Sequence, residues 1–150
     1  MIKRILVAVD GSEHATRAVD MAGAIAAKFD AAVTVVHAMP RAGSGRVPEE
    51  LSQLVQLEHV AVTEAEIMRQ VADEILRRSD AALRRAGVKQ VSTLVEVGDP
   101  ATRIADAARS TSADLIVIGR RGLGRVGGTL LGSVSLKVNH LADCACLTVK

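Results

Sequence analysis

Residues 116–135 read IVIGRRGLGRVGGTLLGSVS, and this stretch indicates both a fold and a kind of ligand. A buried β-branched run ends at Gly119, and a helix is expected to begin near Ser133, whose side chain can cap it. Half of the chain's 12 glycines fall between Gly119 and Gly132. Backbone N–H groups in such a loop, together with a helix N-terminus, favour phosphate. The stretch therefore predicts a strand–loop–helix unit that holds a phosphate.

Glycine is expected in this loop because a Cβ would keep phosphate from the backbone and would forbid φ > 0. The hydroxyls of Ser133 and Ser135 would add donors in the first helical turn. Two named motifs fit poorly. There is no G-x-x-x-x-G-K-[ST], and the G-x-G-x-x-G at residues 122–127 does not open directly into a helix. It also lacks the acidic residue of a dinucleotide site at the expected distance, which argues against that ligand.

The rest of the chain alternates short apolar runs with longer helical patterns. A helix is predicted from an N-cap at Ser12 to Phe29, and another from an N-cap at Asp99 followed by Pro100. Residues 49–86 form the longest helical pattern, in which we expect a break or bend, and residues 41–48 look like a loop. The predicted strands are Ile5–Val9, Ala32–His37, Val91–Val97, Leu115–Gly119 and Leu147–Val149.

Such strands, apolar on both faces, predict one α/β domain over residues 1–150. We expect an open five-stranded, mostly parallel sheet with helices on both faces, a Rossmann-like fold. Ligands of these sheets bind at the carboxyl ends of the strands, near the point where strand order reverses. The expected site therefore lies at Asp10–Ser12, His37–Ala38, Gly98–Asp99 and after Ile118.

Composition excludes several other functions. The chain has 150 residues, a net charge of +2, one Phe and neither Trp nor Tyr. The small charge gives no broad field for nucleic acid or acidic lipid, and no aromatic platform exists for stacking bases. Apolar runs are too short for a membrane span, and two cysteines make no disulfide framework. We expect a cytoplasmic protein that binds neither nucleic acid nor membrane.

The sequence resembles the universal stress protein family, and its ATP-binding branch in particular. Gly119-x2-Gly122-x9-Gly132-Ser133 between the fourth strand and the fourth helix matches the ATP-binding signature of that branch. The resemblance covers the whole chain, including ILVAVDGSE at residues 5–13, GDP at 98–100 and ADLIVIG at 113–119.

The resemblance implies a set of residues that bind ATP, with or without Mg²⁺. Asp10 would reach adenine and ribose, Ala8 and Ala38 would line the adenine, and Ile118 would belong to the same site. The positions that would wrap ribose and phosphates are Gly119, Gly122, Gly132, Ser133, Val134 and Ser135. No catalytic or metal-ligating residue is implied.

The resemblance also implies a homodimer in which the last strands pair, here residues 146–150. Prolines that often flank this strand in the family are replaced by Cys144-Ala145-Cys146.

Other polar residues have ordinary alternatives. Arg120, Arg121 and Arg125 either contact phosphate or are solvated. His37 is expected to pack at a strand end rather than act as a base, and His14 is expected to be exposed. His140 with the two cysteines offers too few ligands for a structural metal, so the thiols are interpreted as small apolar groups.

Three functions remain open from the sequence. The first is a nucleotide-dependent regulatory homodimer in stress response, with a downstream partner that the sequence does not name. The second is a slow ATP hydrolase, although no general base is evident beside the loop. The third is an interaction module that binds no nucleotide, which the intact glycines disfavour.

Overall fold

A computed structural model of the chain describes residues 1–41, 64–123 and 132–150. Strands and helices alternate, and all five predicted strands are present with their ends shifted by at most two residues. The expected break or bend is not present in the described part of the 49–86 pattern, where residues 64–85 form one helix; residues 49–63 and most of the loop expected at 41–48 lie outside the described residues. In order, the elements are β1 (Arg4–Ala8), α1 (Glu13–Phe29), β2 (Ala32–Met39), α2 (Glu64–Arg85), β3 (Val91–Val97), α3 (Pro100–Ser110), β4 (Leu115–Gly119), α4 (Ser133–Leu141) and β5 (Ala145–Val149).

The sheet has the strand order β3-β2-β1-β4-β5, and each pairing is parallel. The predicted open five-stranded sheet is therefore confirmed, and within the described residues it is parallel throughout. From β1 the chain first adds strands on one side, through β2 and β3, and then returns to the other side with β4 and β5. The strand order thus reverses between β1 and β4, and a crevice forms beyond their carboxyl ends.

Helices cover both faces of the sheet, as the apolar strands predict. Leu6 and Val7 of β1 are both fully buried although they point to opposite faces. Val7 belongs to a core that includes α1 and α2, and Leu6 to a core that includes α3 and α4. Small side chains let α1 pack closely: a Cβ on Gly23 would lie 3.0 Å from the Cβ of Ala86. The residues that α1 buries are Ala15, Ala18, Val19, Ala22, Gly23 and Ala26.

The N-caps of two helices are those predicted from the sequence, and the N-cap of a third is not. Ser12 Oγ accepts a hydrogen bond from the amide of Ala15 at 3.2 Å, so the first predicted N-cap is confirmed. Asp99 caps α3 in the same way and is followed by Pro100, as predicted. The third of these helices, α4, begins at Ser133 as expected, but the suggestion that Ser133 caps it is wrong, because Gly132 is the N-cap.

Asp99 also joins two helices. Its Oδ2 accepts from the Thr102 amide at 3.0 Å and from the Thr102 hydroxyl at 2.6 Å, and Lys137 of α4 lies 3.0 Å away. The hydrogen bond from the Thr102 hydroxyl, followed by that from Lys137, lowers the pKa of Asp99 to about 2 from an ordinary 3.8. The charged carboxylate is therefore favoured by folding.

We expect Asp99→Ala to lower the free energy of unfolding at pH 7 by about 1 kcal/mol, the usual cost of losing an N-cap. Asp99→Asn should lose less, because its amide oxygen can still cap. The folded-state pKa lies below the unfolded one, so the carboxylate's contribution is complete above pH 3.8 and is lost as the pH falls through 2. Urea titrations followed by circular dichroism measure both effects; equal stability of wild type and Asp99→Ala at pH 7 would contradict the assignment.

Candidate functional site

The crevice at the point of strand reversal is formed by the turn after β1 and the segment after β4. Asp10 follows β1 and lies two residues before the N-cap of α1, and Gly119 ends β4. A hydrogen bond joins the two sides, from the amide of Leu123 to Asp10 Oδ2 at 3.1 Å. Asp10 Oδ1 accepts from the amide of Ser12 at 2.9 Å. Both carboxylate oxygens thus bind backbone amides, one in its own turn and one in the glycine-rich segment.

The two ends of the glycine-rich segment meet at the backbone of Arg120. Its carbonyl accepts from the amide of Gly132 at 2.8 Å and lies 3.1 Å from the hydroxyl of Ser135. Its amide donates to the carbonyl of Val149 at 2.6 Å, so the same residue also fixes the end of β5. The structure therefore brings Gly119 and Gly122 to one side of this junction and Gly132 and the first turn of α4 to the other.

The structure gives reasons for glycine at the described positions of the motif, and they differ from the reasons expected from the sequence. A Cβ on Gly119 would lie 2.8 Å from the carbonyl carbon of His14, because α1 crosses the end of β4 there. A Cβ on Gly122 would collide with the carboxylate of Asp10, and one on Gly132 would lie 3.0 Å from the carbonyl oxygen of Arg120. None of the three has φ > 0, so the expected need for left-handed backbone is wrong at these positions. Gly124, Gly127 and Gly128 lie outside the described residues.

The N-terminus of α4 is suited to an anion. Its N-cap is a glycine and supplies no side-chain acceptor to the first-turn amides, unlike Ser12 at α1 and Asp99 at α3. Those amides carry the partial positive charge of the helix.

The predicted site residues of this turn differ in exposure. Ser133 is exposed and Val134 is half-buried, whereas Ser135 is buried. The Ser135 hydroxyl lies 2.9 Å from the carbonyl of Gly132 and 3.1 Å from that of Arg120. It therefore donates inward, to the junction of the loop ends.

The three predicted apolar positions share one face of the sheet. Ala8 and Ile118 are register partners on β1 and β4, and both are buried in the core that includes α3 and α4. Ala38 packs against the same core and lies two residues beyond Val36, the partner of Ala8 on β2. The structure therefore places small or aliphatic side chains, and no aromatic ring, along the three central strands towards the crevice.

Two histidines flank this arrangement. His37 Nδ1 lies 2.8 Å from the carbonyl oxygen of Val9, and because a carbonyl only accepts, Nδ1 carries the proton. This contact fits the expected structural role at a strand end. His14 was expected to be exposed and is not: it is half-buried, and its Nδ1 is covered without a partner among the described residues. The reason is the contact of the first turn of α1 with the end of β4.

Of the three arginines that could contact phosphate, two belong to the described residues. Arg120 is half-buried, and its Nε is covered without a hydrogen-bond partner in the part of the chain that the structure describes. It is therefore not simply a solvated surface residue. Arg121 is exposed, and Arg125 lies outside the described residues.

The cysteines behave as apolar groups. Cys144 and Cys146 pack against the core formed with α3 and α4, and burial raises the pKa of both thiols. A raised pKa lowers the thiolate fraction on which metal binding depends. Within residues 1–41, 64–123 and 132–150, no group of three or more His, Cys, Asp or Glu side chains is placed to hold a metal ion. None of the described helices has the length and hydropathy needed to cross a membrane.

Comparison with known proteins assigns this chain to a family. The family model of the universal stress proteins matches residues 1–150. This chain belongs to the universal stress protein family. A family member from Thermus aquaticus, encoded in the 3' region of a QAH/OAS sulfhydrylase, is 39% identical over 150 residues and is covered completely, as is this chain.

Solved universal stress proteins share the architecture and include nucleotide complexes. A universal stress protein in complex with cAMP is 27% identical, with a TM-score of 0.73 over 99% of this chain and 97% of that one. The universal stress protein of Archaeoglobus fulgidus in complex with dAMP is 28% identical, with a TM-score of 0.69 over both complete chains. The resemblance that the sequence motifs indicate is therefore confirmed at the level of the family.

Sequence reasoning missed three participants in the site of this universal stress protein. They are the amide of Leu123, which binds Asp10, the backbone of Arg120, which joins the loop ends, and His14, which contacts Gly119. Two of these act through backbone atoms, which no residue type reveals. For His14 a signal existed, because the first turn of a helix after β1 must pass close to the neighbouring strand β4.

Alanine substitutions at Gly119 and Gly122 should differ in their effect on stability, because the two glycines face different kinds of neighbour. Gly119→Ala should destabilise the fold by about 2 kcal/mol, because the new Cβ meets backbone atoms of α1 that cannot rotate away. Gly122→Ala should cost at most about 1 kcal/mol, the value of one hydrogen bond, because the Asp10 side chain can turn aside. Chemical denaturation gives the two stabilities. Amide hydrogen exchange at Leu123 should accelerate in Gly122→Ala, and unchanged exchange there would contradict the contact.

Proposed function

We propose that this universal stress protein binds an adenine nucleotide, with ATP as the preferred ligand, and acts as a nucleotide-dependent regulator in stress response. The observation that carries the proposal is the convergence of Asp10, the glycine-rich segment and the N-terminus of α4 at the reversal of strand order. Complexes of two structurally similar family members with cAMP and dAMP support an adenine ligand. A cytoplasmic location remains part of the proposal.

The phosphates are assigned to the loop and to α4. Gly119, Gly122 and Gly132 give a chain without side chains at the crevice, and the amides of Ser133 and Val134 point along the positive end of the helix dipole. The absence of a capping side chain at Gly132 supports this assignment, because a carboxylate there would compete with phosphate. Ser135 contributes by holding the loop ends together through the Arg120 carbonyl. Mg²⁺, where present, would neutralise phosphate charge.

The adenosine is assigned to the other side of the crevice. Ala8, Ala38 and Ile118 share a sheet face and offer an aliphatic wall for a purine. The chain has one aromatic residue, Phe29, at the far end of α1, so base stacking on a ring is not expected. Asp10 stands between this wall and the loop, where a carboxylate can accept from ribose hydroxyls or the adenine amino group.

Binding is favoured over hydrolysis. A hydrolase needs a group that positions water and a donor that stabilises the charge developing on the phosphoryl oxygens. The carboxylate of Asp10, which lies against the described part of the loop, is already bonded to two backbone amides. We therefore assign at most slow ATP hydrolysis to the protein.

A homodimer formed through β5 completes the proposal. Within the described residues, β5 pairs with β4 on one side only, so its other edge presents unpaired backbone groups. Cys146, Leu147 and Val149 are half-buried along this edge. Pairing with a second copy would satisfy the edge and cover these side chains.

ATP binding is tested by isothermal titration of the purified full chain with ATP, ADP and AMP, with and without Mg²⁺. Nucleotide released on denaturation identifies any ligand that copurifies. We expect saturable binding with a Kd below the low-millimolar range, and no binding by native protein in that range would contradict the proposal.

Gly122→Val tests the assignment of the loop. Its side chain would occupy the space of the Asp10 carboxylate and the approach to the backbone, so ATP affinity should fall at least about tenfold. The matched control is Leu123→Ala, because the Leu123 side chain is 71% exposed and the change keeps its amide. Equal affinities of the two variants would show that the phosphates bind elsewhere.

The dimer is tested by light scattering after size exclusion. We expect a mass of twice 15.7 kDa, and a monomer mass at micromolar concentration would contradict pairing through β5.

A further inference from the structure

Asp10 is an anion held inside the segment to which we assign phosphate. Its Oδ2 accepts from the amide of Leu123 at 3.1 Å, and the same oxygen occupies the space beside the α-carbon of Gly122. Its Oδ1 is fixed by the amide of Ser12 at 2.9 Å, which sets the direction of the carboxylate. The described part of the loop therefore already carries a negatively charged ligand, supplied by the chain itself.

This contact has an electrostatic consequence for a phosphate. A phosphate oxygen that approached the amide of Leu123 would have to replace the carboxylate oxygen, since the amide has one hydrogen to donate. If the carboxylate stayed in place, the two anions would lie within a few ångströms of each other and repel. Asp10 therefore has to leave Leu123 before this amide can serve a phosphate.

The departure of Asp10 has a cost that only some ligands offset. A carboxylate that leaves an amide needs new donors. Inorganic phosphate and polyphosphate ions are multiply negative at neutral pH and carry few P–OH donors, so they repel the carboxylate more than they solvate it. A nucleoside brings hydroxyl and amino donors, and Ala8, two residues before Asp10 in the chain, forms an aliphatic wall with its register partner Ile118. A ligand with a nucleoside part can thus exchange partners with Asp10.

We propose that Asp10 determines specificity as an internal anion. Its carboxylate occupies the amide of Leu123 and so prevents free phosphate or polyphosphate from binding there. A ligand that carries hydroxyl donors binds the carboxylate instead and leaves the amide available. The inference rests on the proposed nucleotide site and adds a selection rule to it. The site would reject polyphosphate ions, which carry the same phosphate chain as ATP. Binding of the nucleoside by Asp10 and release of the Leu123 amide from Asp10 would occur together.

The test is titration of the full chain with sodium tripolyphosphate and, separately, with ATP, in buffer containing EDTA and no added metal. Asp10→Ala removes the internal anion, so its affinity for tripolyphosphate should rise at least about tenfold over wild type, the effect of one charge-assisted hydrogen bond. Its affinity for ATP should fall or stay level, because the partner of the nucleoside is gone. Asp10→Asn has one acceptor oxygen for two amides and should lie between wild type and Asp10→Ala.

Glu13→Ala is the matched control. Glu13 lies in the first turn of α1, its side chain is 78% exposed and pairs with Arg17, and it makes no contact with the loop among the described residues. The change removes the same charge three residues further along the chain, so tripolyphosphate affinity should stay within about twofold of wild type. Thermal unfolding of each variant by circular dichroism confirms that the fold is retained, and Asp10→Asn carries the test if Asp10→Ala unfolds.

The outcomes separate this inference from the proposed function. ATP binding by wild type with no gain in tripolyphosphate affinity on removing Asp10 overturns the inference and leaves the nucleotide site standing. An equal gain in Asp10→Ala and Glu13→Ala also overturns it, because the effect would then be general charge. A gain confined to the Asp10 variants supports the block by the internal anion; if wild type then binds no ATP, the nucleotide assignment and the proposed release of the Leu123 amide to a nucleotide are both overturned.

Discussion

The parallel pairing of β1 with a strand on each side is the constraint on which the structure depends. Because β2 and β4 flank it and helices cover both faces, β1 has no edge and no solvent face, and its side chains are apolar throughout the buried run. The first polar side chain after the strand is Asp10, at the point where strand order reverses. The first side chain that can bind a polar ligand therefore lies directly beyond the buried strand. Its position follows from the path of β1, and no additional element is needed to hold it there.

The sequence predicts those features that a local pattern encodes. Continuous apolar runs gave the five strands, and the N-caps at Ser12 and Asp99 gave the starts of two helices, because each depends on neighbours within four residues. The start of α4 near Ser133 was also predicted, but its N-cap was not, since Gly132 caps by backbone conformation and its amide bonds to Arg120. A motif in the sequence also indicated the family, although its glycines were explained by phosphate access and backbone conformation and not by packing against the rest of the protein.

What the sequence could not predict is contact between distant parts of the chain. Asp10 and Leu123 are 113 residues apart, and their bond follows from the arrangement of β1 beside β4 rather than from either residue type. The contact of His14 with Gly119 also joins distant parts of the chain and reversed the expectation of an exposed histidine, although the path of α1 beside β4 offered a signal for it. Glycine can be required by a ligand or by the protein's own packing. Only the structure shows that the protein's own backbone already leaves little room for a Cβ at Gly119 and Gly132, whereas Gly122 faces a side chain that can move.

The separate reasons for Gly119 and Gly122 bear on how such a chain can diverge. A side chain at Gly119 meets the backbone of α1, so selection for folding alone would retain glycine there in any descendant. A side chain at Gly122 meets only the carboxylate of Asp10, a group that can turn away. Descendants that abandon the ligand are therefore free to drift at position 122, and Asp10 is released to drift with it. Substitution of both Asp10 and Gly122, with Gly119 retained, would therefore indicate a lineage that keeps the fold but no longer binds a ligand in the crevice.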